Sequence, residues 1–256
     1  MAKRIYYNVP CTLFQNFLKD DKSRERVLFN VLTYVVYAEY MRLQDEIPDE
    51  EARFNTACRN MGSGELNKNE VLFDGKRMFK SGKKEAFFSF SSEKYWEQVN
   101  EEKTPEERVL FLAWLALKSI QGNKPFAKTC NAMWLSRMDG STKIKKAFRS
   151  NCPPYSDAIQ KVCNSKYKCS QIRAKLYKYY NVPYDADGVR GFYFSTSMDF
   201  EKFEEAILTA PKTDAMSEFK AAKTAAKAAA KEALKEYAKQ LAHDLTHDLA
   251  HHSTLK

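Results

Sequence analysis

The chain has 256 residues, 44% of them hydrophobic and 13% aromatic; it can bury a core for two small domains and an appendage, and wholesale disorder is excluded. No apolar run is long enough for a transmembrane helix. The formal charge is +9; residues 142–180, with ten Lys or Arg and the single acid Asp157, carry +9 alone, so the rest balances to zero.

Residues 1–21 are basic but hold neither a continuous apolar segment nor a small-residue cleavage site. They do not read as a signal peptide, and a cytoplasmic location is the default expectation. "KRIYYNVP" predicts a short strand ending at Pro10, with Thr12 opening a helix to about Leu18. Asp20 or Ser23 starts a longer helix, whose Val27, Leu28, Val31, Leu32, Val35 and Val36 form a broad buried stripe. A further short helix is predicted before Gly62. Between residues 70 and 91, Asp74-Gly75 and Ser81-Gly82 are turn signals between short apolar pieces, which predicts a small hairpin or meander.

The cleanest helix follows Thr104, with Pro105 in its first turn, Glu107 completing a capping-box pattern and Gly122 as its stop. A second helix is expected from about Pro125 to Gly140, with Phe126, Cys130, Met133 or Trp134, and Met138 on one side. Within the basic stretch, Ser156 or Asp157 caps one helix and Ser170 caps the next, "QIRAKLYKYYN". Asp187-Gly188 is a turn, "RGFYFST" a strand, and Ser197 or Asp199 caps a helix that ends the body. Helix, turn, helix, then turn and strand is the order of a winged helix-turn-helix unit. After Pro211 the composition shifts to Ala, Lys, Glu and Leu, which predicts a long helix over residues 217–250, with Leu234, Leu241, Leu245 and Leu249 docking on the body or on a second chain. The expected fold is therefore mostly α with a small β component (α+β), divided as 1–140, 141–210 and 211–256.

Catalytic signals are weak. The four histidines, His243, His247, His251 and His252, all lie in the tail, which excludes a histidine-based triad or an HExxH site in the body. Neither a phosphate-binding GxxxxGK[ST] loop nor a GxGxxG run occurs, and no cofactor is implied. The six cysteines are widely spaced without a CxxC pair and read as reduced, mostly buried thiols, so no metal site is expected.

Binding signals are stronger. A solubilising surface mixes both signs of charge, whereas this stretch is nearly free of acids. In the Ser170 helix, Ile172, Leu176 and Tyr179 or Tyr180 face the core, while Gln171, Lys175 and Lys178 share another face with Arg173 at its flank. Gln and Arg can read base edges and Lys neutralises phosphate; Ser170 and the first-turn amides add phosphate contacts. The expected nucleic-acid-binding set is Lys143, Lys145, Lys146, Arg149, Lys166, Lys168, Ser170, Gln171, Arg173, Lys175, Lys178 and Arg190, the last in the wing. Tyr155, Tyr167, Tyr177, Tyr179 and Tyr180 interleave with the lysines, a pattern that also suits single strands. The expectation is a non-catalytic nucleic-acid-binding protein with duplex DNA as its partner and no membrane partner. The alternatives are an assembly protein that forms a homo-oligomer through residues 217–250, and a metal-dependent nuclease using acids such as Asp74 and Glu85.

Overall fold

A computed structural model of the chain describes residues 5–82, 86–141, 157–163, 165–186 and 191–209. The chain divides into two compact units, Met1–Glu205 and Ala206–Lys256. In the second unit the described residues are 206–209, so the predicted tail helix lies outside them, as do the four histidines.

The first unit is mostly helical with two small sheets. Strand β1 (Tyr6–Pro10) turns Tyr7 and Val9 inward and leaves Tyr6 and Asn8 exposed, the alternation that a strand with one buried face requires. It pairs antiparallel with β2 (Phe87–Ser91), Tyr6 opposite Ser91 and Pro10 opposite Phe87. Where a helix from Thr12 was expected, a short 3-10 turn (Cys11–Phe14) follows, and its Phe14 is buried. Helix α1 (Asp21–Arg42) starts where the cap predicts: the Asp20 carboxylate accepts from the Ser23 amide at 2.7 Å. The valine and leucine stripe is buried as expected, and Tyr34, Tyr37 and Tyr40 are buried with it. Helix α2 (Glu50–Asn60) is capped by Asp49 and followed by Gly62.

The hairpin expected over residues 70–91 is not formed. Residues Lys68–Gly82 are helix α3, and Asp74-Gly75 lies inside it. Gly75 is used for close approach rather than for turning: a Cβ there would lie 2.4 Å from the Cβ of Tyr37 on α1. Only Phe87–Ser91 of that region is strand, and its partner is β1, some eighty residues earlier in the chain.

Helix α4 (Ser92–Asn100) leads to α5 (Pro105–Gln121). The capping box of α5 is complete: the Glu107 amide donates to Thr104 Oγ1 at 3.3 Å, and the Thr104 amide to Glu107 Oε2 at 2.9 Å. From Val109 to Leu117 nearly every α5 side chain is buried, so this helix runs through the core. Part of the next predicted helix is instead strand β3 (Ala127–Thr129), and α6 is confined to Asn131–Met138. Trp134 of α6 is fully buried, and its indole N–H donates to the Ala113 carbonyl at 3.0 Å.

Helix α7 (Asp157–Cys163) and helix α8 (Lys166–Tyr180) precede β4 (Tyr184–Asp185), β5 (Phe192–Phe194) and α9 (Phe200–Thr209). The second sheet is antiparallel in the order β3-β5-β4. Gly191 enters β5 where a Cβ would meet the Thr129 carbonyl at 2.3 Å. Because β3 pairs with β5, and the core runs unbroken from Tyr7 through α5 to Phe194, a boundary at residue 140 would cut one sheet and one core.

Candidate nucleic-acid interface

The described part of the basic stretch is carried by α7 and α8. The cap of α8 is Ser165, whose hydroxyl accepts from the Lys168 amide at 3.2 Å; Ser170, expected to cap this helix, lies inside it and is half-buried. The earlier start adds a turn carrying Lys166, Tyr167, Lys168 and Cys169. The first-turn amides therefore belong to Lys166, Tyr167 and Lys168, because the first intrahelical bond runs from the Cys169 amide to the Ser165 carbonyl.

Cys169, Ile172, Arg173 and Leu176 form the buried side of α8, and Tyr180 stacks on Trp114 at 5.2 Å. Opposite them, Tyr167, Gln171, Ala174 and Lys178 follow one another at spacings of four, three and four residues, and all are exposed. Tyr167 is 71% exposed. Lys168 and Lys175 flank this line on the side facing α5. There, Lys161 of α7, Lys168, Gln171 and Lys175 line a groove of about 310 Å³ with Glu106, Leu110 and Ile172. No acid occurs between Asp157 and Asp185.

The lysines are not all equally available. Lys175 Nζ lies 2.6 Å from Glu106 Oε1, an ion pair with both partners well exposed. Such pairs contribute about 0–1 kcal/mol, so a polyanion can compete for Lys175. Lys168 Nζ reaches the Lys161 carbonyl at 3.4 Å, and Lys178 Nζ sits 5.5 Å from the Tyr179 ring centre. Among the described residues no carboxylate forms an ion pair with Lys161, Lys166, Lys168 or Lys178.

Arg173, expected at the flank of the reading face, is turned inward and is only 8% exposed. Its Nη1 donates to Asn131 Oδ1 at 2.7 Å, and the guanidinium lies 4.6 Å from the Phe192 ring centre and 5.6 Å from that of Tyr184. Burial pulls its pKa below the ordinary arginine value. Arg173 thus ties α8 to α6 and to β5. We expect Arg173→Ala to lower stability by about 2–3 kcal/mol, the scale of a lost charged hydrogen bond with its packing, as read from the urea midpoint.

Comparison of the chain with protein-family models, curated proteins and solved structures gives no match.

Lys168, Gln171, Lys175 and Lys178 are thus gathered on or beside one helix face, whereas Lys166 is exposed in the first turn away from it and Ser170 is half-buried. Lys143, Lys145, Lys146, Arg149 and Arg190 lie outside the described residues. Glu106 and Lys161 were missed by sequence reasoning: Glu106 reads as a first-turn acid of α5, and only the packing of α5 on α8 brings it to Lys175. The acids suggested for a nuclease are Asp74 and Glu85. Asp74 sits on α3 in an ion pair with Arg77 at 3.0 Å, Glu85 is outside the described residues, and no group of three His, Cys, Asp or Glu among those residues could hold a metal. Cys11, Cys58 and Cys169 are buried and Cys130 is half-buried. No described helix is long and apolar enough to cross a membrane.

Proposed function

We propose that this protein is a non-catalytic nucleic-acid-binding protein whose target is duplex DNA, contacted by the outward face of α8. The observation that carries this reading is a fifteen-residue helix bearing four lysines and Gln171 away from the core with no acid of its own. A localised positive face is the electrostatic footprint of phosphate binding. The reading includes a winged helix-turn-helix unit. In support, α5, β3, α6, α7, α8, β4 and β5 follow one another with the sheet order β3-β5-β4; on this proposal α8 is the reading helix and Arg190 belongs to the wing.

Exposed Tyr167, Tyr177 and Tyr179 favour a second target, single strands whose bases stack on the rings. Fluorescence anisotropy with labelled duplex DNA, single-stranded DNA and structured RNA at rising salt separates the two. The duplex should bind tightest, with log K falling linearly in log salt. Absence of binding at low salt, or binding indifferent to salt, would overturn the proposal.

The Glu106 pair gives a finer check. Glu106→Gln removes the one acid that lines the lysine groove among the described residues and frees Lys175. We expect duplex affinity to rise about two- to fivefold, the scale of one exposed ion pair. Unchanged affinity in the anisotropy assay would place Lys175 off the contact surface.

A further inference from the structure

We infer that Gln171 and Ala174 make α8 read A·T base pairs in the major groove. The inference rests on the proposed duplex contact and adds what that contact would recognise. The residues of α8 divide by chemistry. Lysines carry compact charges suited to phosphate, which positions a protein without conveying sequence. Sequence is read by groups that match base edges, and the centre of the outward face offers two of them, Gln171 and Ala174.

They stand three residues apart, so they are neighbours on the same helix surface. The Gln171 amide has one acceptor and one donor group, which matches N6–H and N7 of adenine. The Ala174 methyl is small enough to let the helix approach closely and is apolar enough to meet the C5-methyl of a thymine at an adjacent step. The usual reader of guanine is Arg, and the only Arg on α8 is withheld: Arg173 is 8% exposed and bonded to Asn131. Lys175, beside Gln171, is a flexible point charge that exchanges its exposed Glu106 partner for phosphate. Lys178 lies toward the end of the helix, where a flexible point charge suits the backbone.

The test uses the full-length protein and a randomised duplex pool. Selection should enrich A·T pairs at adjacent positions, and replacing the leading pair by G·C should weaken binding roughly 5- to 150-fold, the discrimination of a good bidentate contact. The effect can be probed without touching the protein: 7-deazaadenine removes the N7 acceptor, and uracil in place of thymine removes the methyl. Both changes should weaken binding by the wild type. Gln171→Ala should bind adenine and 7-deazaadenine duplexes alike, and Gln171→Arg should move the preference toward guanine. Gln171 is exposed, so neither substitution threatens the core. Duplex binding without A·T enrichment, or the same preference in Gln171→Ala, would overturn the inference and leave the binding proposal standing. No duplex binding by the wild type would remove both.

Discussion

Replacing Lys168, Lys175 and Lys178 together with Ala is expected to lower duplex affinity and to reduce its salt sensitivity by up to three phosphate contacts while leaving the fold intact. All three lie on the outward or flanking surface of α8, and none is part of the buried stripe Cys169, Ile172, Arg173 and Leu176. Ala also favours helix, so α8 should persist. Each lost phosphate contact reduces the slope of log K against log salt by about 0.9. If all three make contacts, the slope becomes shallower by nearly 3, and between about 50 and 200 mM salt the wild type loses roughly 40-fold more affinity than the variant. Specific and random duplexes should weaken alike, because phosphate contacts do not convey sequence. A folded triple variant with the wild-type slope would exclude α8 as the basic contact element.

Gly75→Ala is expected to destabilise the protein, against the sign that helix propensity alone gives. At an exposed helix interior this change stabilises by about 1 kcal/mol. Gly75 is buried, however, and the new Cβ would fall 2.4 Å from the Tyr37 Cβ, an atom fixed to the α1 backbone. Relief requires α1 and α3 to move apart, and overpacking of this kind costs about 1–3 kcal/mol. The clash should dominate, and Gly75→Leu should lose more. Urea denaturation checks both variants through their midpoints at constant m. A rise of about 1 kcal/mol for Gly75→Ala would mean that α3 does not pack on α1 as described.

The same glycine shows what was legible in the sequence. Helix starts were readable because caps are local: Asp20 and the Thr104–Glu107 box act on amides within three residues. Asp74-Gly75 looked like a turn because a turn and a close helix crossing both call for glycine, and Tyr37, which decides between them, lies far back in the chain. Strand β3 was hidden in "KPFAKTC" for a similar reason, since its partner Phe192–Phe194 comes much later.

At the candidate interface, the exposed positions of Gln171 and Lys178 and the buried positions of Ile172 and Leu176 followed from spacing alone. The helix start was misplaced because two serines compete, and Ser165 was the one consistent with burying Cys169. Arg173 lies between Ile172 and Leu176 on the inward side, so its position pointed to burial; its charge argued the other way, and the Asn131 and Phe192 contacts that accommodate it are tertiary. The Glu106–Lys175 pair could not be read locally at all.

The central claim is that nucleic acid lies against the outward face of α8. Site-specific photocrosslinking tests it most directly, with a benzophenone side chain placed at Ala174, in the middle of that face, and at Phe73, an exposed position on α3. The account predicts a crosslink to bound duplex from position 174 and none from position 73. Duplex bound with no crosslink from 174, or with equal yields from both positions, would contradict it.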